Sequence, residues 1–377
     1  MRKGAGMTDA LPGGLWGAAT AAVAGAVLGG LLTAAVRRWF AATDEPAGAA
    51  AGPWGVAAGT VAAVALWWWE VRLSGQVPDG LPALGPVSGT AIAWRCLAHM
   101  VLFWLLAAAT WIDMRQRVIP DWITIPGVLA GLLVAWGFPD ALLPVAVDVP
   151  RSFAAPAIEP DVLGFLGGLR SARGPEWLGA QPHLPGLLLV AGLFAAWWAI
   201  CTEPDVHTHR WPGPRTMLLV VGLCALLGAW LVGGDRFRAL ESALVGMAVS
   251  GGIVWATRAG ASRALGREAM GLGDVTLMAM VGAWLGWQAC VLTFFLATFL
   301  GLTHGLFQLL RHRESELPFG PSLCLAAALV VVGWRPLWQA VAVHFEDPAR
   351  LAAVVAAVVL LTAITLFAWR LLRDRRV

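Results

Sequence analysis

Long apolar runs separated by short polar connections constrain this chain more than any other feature. A helix crossing the hydrocarbon of a bilayer needs about 20 mostly apolar residues, and only helices or closed barrels satisfy their backbone there. Runs that fit are Leu15–Val36, Pro53–Trp69, Ala91–Ile112, Trp122–Phe138, Gly186–Cys201, Thr216–Val232 and Ala239–Ala256. The stretch Val275–Leu310 is long enough for two more, with Gly286 and Trp287 near the turn, and Pro321–Trp338 and Leu351–Leu371 complete the series. The fold expected is all-α: a polytopic transmembrane helical bundle of about eleven spans. Composition agrees, since 59% of the 377 residues are hydrophobic and only 13% charged, against about 25% charged in soluble domains. With 22 Trp and no Tyr, interfacial aromatic belts must be built from Trp and Phe.

Orientation is read from where Lys and Arg collect in short loops. Arg37 and Arg38, Arg115 and Arg117, His209 to Arg215, Arg258 to Arg267, Arg311 to Arg313, and the tail from Arg370 to Arg376 alternate onto one side. They predict the N-terminus outside and the C-terminus in the cytoplasm, with Arg2 and Lys3 a weaker opposing signal. Three regions follow: N-terminal spans over 1–90, a core over 91–345 with an inserted outer loop at 139–185, and a further span with a basic tail over 346–377. A short interfacial helix is expected near Val162 to Leu169.

A net charge of +3 without a long basic stretch argues against nucleic acid as a partner. The five cysteines form no C-x-x-C pair and fall in or at the ends of apolar runs, so neither a zinc site nor a disulfide framework is expected. No metal or cofactor is implied, and the expected surroundings are lipid. His304 and other polar residues inside the spans read as packing or hydrogen-bonding groups.

Two segments depart from generic membrane sequence: Trp111 to Trp122, joining the third and fourth spans, and Gly266 to Leu277, leading into the eighth. Asp274 follows Gly271-Leu272-Gly273 and precedes an apolar run, which fits a helix N-cap. Asp121 has the same reading. Asp113 is harder to explain as structure, because it sits at a helix C-terminus, where the macrodipole disfavours a negative charge; the alternative is a solvated pair with Arg115 or Arg117. Four spans separate Asp113 from Asp274, which returns both to one membrane edge. Two carboxylates brought close share one proton. Such an arrangement is how aspartic proteases work, one carboxylate activating water while the other protonates the scissile amide. The helix ends favour Asp274 as the base and Asp113 as the acid.

These segments resemble the type IV prepilin peptidases, a family of membrane aspartic peptidases with a Gly-x-Gly-Asp motif. Ile112-Asp113 with Ile119-Pro120-Asp121 and Thr124 is similar to the first aspartate segment. Met270-Gly271-Leu272-Gly273-Asp274, followed by Gly282-Ala283-Trp284-Leu285-Gly286-Trp287, is similar to the second, and Leu317-Pro318-Phe319-Gly320-Pro321 to a third. The resemblance implies an endopeptidase of the bacterial inner membrane that removes the leader of type IV prepilins or pseudopilins at the cytoplasmic face. It implies Asp113 and Asp274 as the catalytic dyad, Gly271 and Gly273 as points of close backbone approach, and Pro120, Gly320 and Pro321 as supports. Thr276 stands where the family usually has Lys. The short gap from Arg37 to Gly52 holds no cysteine, so the methyltransferase domain of many members is not expected. Two other readings are a degenerate relative serving as a membrane scaffold or binding protein, and a proton-coupled transporter. The oligomeric state is left open.

Overall fold

The computed structural model describes residues 15–43, 53–76, 89–143, 184–201, 213–266, 268–312, 319–345, 352–361 and 364, and every regular element among them is a helix. In chain order these are α1 (Leu15–Ala42), α2 (Pro53–Trp67), α3 (Gly89–Gln116), α4 (Asp121–Gly137), α5 (Leu184–Cys201), α6 (Gly213–Val232), α7 (Gly234–Leu265), α8 (Leu272–Leu285), α9 (Trp287–His312), α10 (Gly320–Val332) and α11 (Trp334–Val341). A further short helix, α12, covers Ala352–Leu361. The side chain of His304, the segment around Val162 to Leu169, nearly all of the 139–185 loop, and the basic tail lie outside the described residues.

Among the described residues, four helices are long and apolar enough to cross a membrane: Gly17–Ala42, Ile92–Gln116, Leu184–Cys201 and Arg236–Leu265. A fifth is counted if the bent pair α10 and α11 is one span. Shorter apolar helices stand at Asp121–Gly137, Thr216–Val232, Leu272–Leu285, Trp287–Thr303 and Ala352–Leu361, and Pro53–Trp69 is the 15-residue α2 running into a π-helical turn. On α1, Val23, Val27 and Leu31 recur every four residues and are all exposed, so one apolar stripe points away from the protein. Among water-soluble helices the apolar stripe faces the core. The chain is a multi-pass membrane protein.

The expected single span Pro321–Trp338 is instead broken. α10 and α11 meet at 87° across Gly333. Pro336 explains the break, because proline has no N–H to bond the carbonyl of Val332 and its ring would strike that carbonyl in a continuous helix. At the α8–α9 junction, Gly286 has φ +83°, a left-handed value that glycine adopts without steric cost. Gly286 and Trp287 therefore form the expected turn.

The core is built around α8, nearly every residue of which is buried. It packs most extensively on α7 and next on α4. A Cβ added to Gly282 would strike Gly246 O and Ser250 Oγ, so the α7 and α8 backbones are in direct contact, as small residues permit in membrane bundles. Ser250 Oγ donates to Met278 O at 2.7 Å and Trp284 Nε1 donates to Gly127 O at 2.8 Å, tying α8 to both neighbours.

Candidate active site

Asp113 lies in the last turn of α3 and Asp274 in the first turn of α8. They are 5% and 8% exposed and within electrostatic reach of each other. Such burial rules out a solvated loop charge for Asp113. The chain reverses after α3 through Arg117, whose φ is +56°, and Ile119 then packs against both Gly273 and Gly320. A Cβ built on Gly273 would lie 2.9 Å from Ile119 Cβ and 3.2 Å from Ile119 O. One built on Gly320 would lie 2.9 Å from Ile119 Cδ1, 3.1 Å from Asp113 Cγ, and closer still to Asp113 Oδ2. Both glycines are therefore required by the space the site leaves.

The Gly320 backbone N–H reaches the Asp113 carboxylate. Gly320 opens α10, with Pro321 in its first turn, where a missing N–H costs nothing. Asp113 thus ends its own helix yet faces the electropositive start of another. The helix-end asymmetry expected between the two aspartates is offset by α10. Asp113 Oδ2 is buried and has no hydrogen-bond partner among the described residues.

Asp274 is not the helix cap. Gly271 holds that position, and Asp274 is the third helical residue. Its carboxylate reaches back to the Gly271 N–H, as the acidic residue of a capping box does. Asp121 is likewise inside the first turn of α4, with Pro120 at the cap at φ −75° and ψ 140°. The Pro120 carbonyl accepts from Ile123 N at 3.0 Å and Thr124 N at 3.4 Å. At Gly271 an added Cβ would meet nothing closer than 3.9 Å, and its φ of −69° suits any residue, so the close approach expected there is confined to Gly273. Thr276 is buried, and its hydroxyl donates to Gly273 O at 3.1 Å. Leu317, Pro318 and Arg267 lie outside the described residues.

Two contributors have no counterpart among the motifs. Cys324, buried on α10, is within electrostatic reach of both aspartates and hydrogen-bonded to Thr110. Its spacing of four from Gly320 puts it on the same helix face, a signal present in the sequence. Arg258 Nε donates to Met270 O at 2.9 Å, and its Nη2 pairs with Glu268 at 2.5 Å. It fixes the segment leading into Asp274, whereas in the sequence it counts only toward topology. Among the described residues, no group of three or more His, Cys, Asp or Glu side chains is placed to hold a metal ion.

A sequence model described as the type IV leader peptidase family matches residues 100–169 and 184–306. A prepilin leader peptidase/N-methyltransferase of Aeromonas salmonicida is 33% identical over 164 residues, 42% of this chain and 52% of the relative. One from Dickeya chrysanthemi is 38% identical over 169 residues, 41% of this chain and 55% of the relative. One from Pseudomonas aeruginosa is 38% identical over 104 residues, 27% of this chain and 34% of the relative. The chain thus spans about half the length of the first two of these relatives. No solved structure matches it. With just over half of its residues matched by the family model, the chain belongs to the type IV leader peptidase family.

Proposed function

We propose that this protein is a membrane aspartic endopeptidase that removes the leader of type IV prepilins or pseudopilins at the cytoplasmic face of the bacterial inner membrane, with Asp113 and Asp274 as its dyad. The observation that carries this is the pairing of two buried carboxylates, contributed by distant segments, at the ends of α3 and α8. One carboxylate takes a proton from water, which attacks the scissile carbonyl, while the other donates a proton to the departing amine. Because one carboxylate must hold the proton and the other must not, the rate should be bell-shaped in pH.

The Gly320 N–H acts on the dyad by orientation, aiming a fixed dipole at Asp113. Burial among α3, α8 and α10 excludes bulk water and strengthens each of these interactions. The reading covers the peptidase activity alone and does not extend to methylation, which many relatives carry in their names.

Co-expression with a type IV prepilin tests the proposal. Leader removal, read by gel shift, should occur with the wild type and be lost in both Asp113→Ala and Asp274→Ala. Cleavage that survives either substitution removes that aspartate from the mechanism. A folded wild type that leaves every prepilin and pseudopilin uncut would favour a scaffold role.

A further inference from the structure

The break between α10 and α11 strips the last carbonyls of α10 of their helical partners. In a continuous helix Val331 O would bond the N–H of Arg335, and Val332 O that of residue 336, which is proline and has none. Freed carbonyls within a bilayer must find other donors. Both find them in the segment that follows α2. Gln76 Nε2 donates to Val331 O at 3.1 Å, and Trp69 Nε1 donates to Val332 O at 2.9 Å.

This segment is constructed to present those two donors. After α2 the chain runs through a π-helical turn at Trp68–Arg72. It then reverses at Ser74, with φ +50°, and closes with Gly75 N donating to Trp69 O at 3.0 Å. The Trp69 ring packs against Gly75, where an added Cβ would be 2.7 Å from its Cδ2. The Gln76 amide is held in turn by Glu70, whose Oε1 accepts from Gln76 Nε2 at 2.7 Å and faces His99 Nδ1 at 2.8 Å. Glu70, Gln76 and His99 are all buried. With the Gln76 Nε2 hydrogens directed at Glu70 and Val331, His99 Nδ1 carries the proton it donates to Glu70.

The opposite end of α10 is Gly320, whose N–H and missing Cβ position Asp113. Thirteen residues of helix make a rigid strut of about 20 Å between the two ends. We propose that Trp69 and Gln76 are positioning residues: by capping the broken end of α10 they hold its other end, Gly320, against Asp113. Residues 53–76 lie outside the part of the chain that the family model matches, so this gives the N-terminal helices a role in the site. The clamp stands on the hydrogen bonds alone, while its catalytic consequence rests on the protease reading.

The experiment uses the full chain in lipid nanodiscs, with Trp69→Phe, Gln76→Leu and Gly75→Val. Each variant is followed by hydrogen–deuterium exchange over 320–338 and by cleavage of a type IV prepilin across pH. One lost hydrogen bond of ordinary strength corresponds to about a fivefold change. Exchange over 331–338 should rise by about that factor in Trp69→Phe and Gln76→Leu. kcat should fall by a similar factor with KM unchanged, and the pH–rate profile should change position as well as height, which a loss of folded protein would not produce. Should Gln76→Leu fail to fold, Trp69→Phe, which keeps an aromatic side chain but loses the indole N–H together with the five-membered ring, decides alone. Wild-type exchange in folded Trp69→Phe overturns the clamp. Raised exchange with an unaltered kcat and pH profile overturns its link to catalysis. If the wild type itself leaves prepilin uncut, the protease reading fails, and exchange in Trp69→Phe still judges the clamp.

Discussion

At the scale of single residues, the site is defined as much by absent side chains as by the two carboxylates. Gly320 has no room for a Cβ beside Asp113, and Gly273 none beside Ile119. Gly320→Ala should therefore displace the Asp113 carboxylate without removing it. A misplacement of about 1 Å can cost roughly 100-fold in rate, so kcat for prepilin cleavage should fall by up to about that factor while the variant remains folded. Gly271→Ala should lose far less, since its Cβ meets nothing closer than 3.9 Å and its N–H remains for Asp274. Equal losses in steady-state assays of the two variants would contradict this steric reading of the motif. The aspartates themselves were legible as an odd pair of charges at span ends. Cys324 was half legible, since its spacing of four from Gly320 puts it on the same helix face. The Gly320 N–H and the grip of Arg258 on Met270 were not, because each depends on packing between segments that local spacing does not encode.

At the scale of helices, hydropathy located almost every element, since burial in lipid requires runs of apolar residues wherever a helix crosses. What it did not disclose was how those helices meet. The α7–α8 contact depends on Gly246 and Gly282 facing one another; Gly282 stands in the second motif, but nothing in the sequence marks Gly246 as its partner. Gly282→Val should place a branched side chain against Gly246 O and Ser250 Oγ. Overpacking of this kind costs about 1–3 kcal/mol, to be read as a lower midpoint in a detergent or urea titration of the purified protein. The bend between α10 and α11 was partly legible: Gly333 and Pro336 are visible in the sequence, yet the apolar run continues across them. Hydropathy measures what a segment is dissolved in, and backbone chemistry decides whether it stays straight.

For the whole molecule, the proposal that both aspartates work at the cytoplasmic face depends on topology. Arg115 and Arg117 follow Asp113, while Arg258 and Arg263 lie in the last turns of α7 before Asp274. By the bias of positive charge toward the cytoplasm, both approaches to the dyad are expected on that side. A substrate whose basic leader remains in the cytoplasm and whose apolar stem enters the membrane would present its scissile bond at the depth where α3 ends and α8 begins. Single cysteines introduced at Gln116 and at Glu268, in a background where the five native cysteines are replaced by Ala or Ser, test this. Both should resist a membrane-impermeant maleimide in intact cells and react after permeabilisation, whereas a cysteine placed at Pro139 should react in intact cells. Labelling of Gln116→Cys or Glu268→Cys in intact cells would put that end of the dyad on the outer face. The aspartates could then still meet, but not where a cytoplasmic leader could reach them.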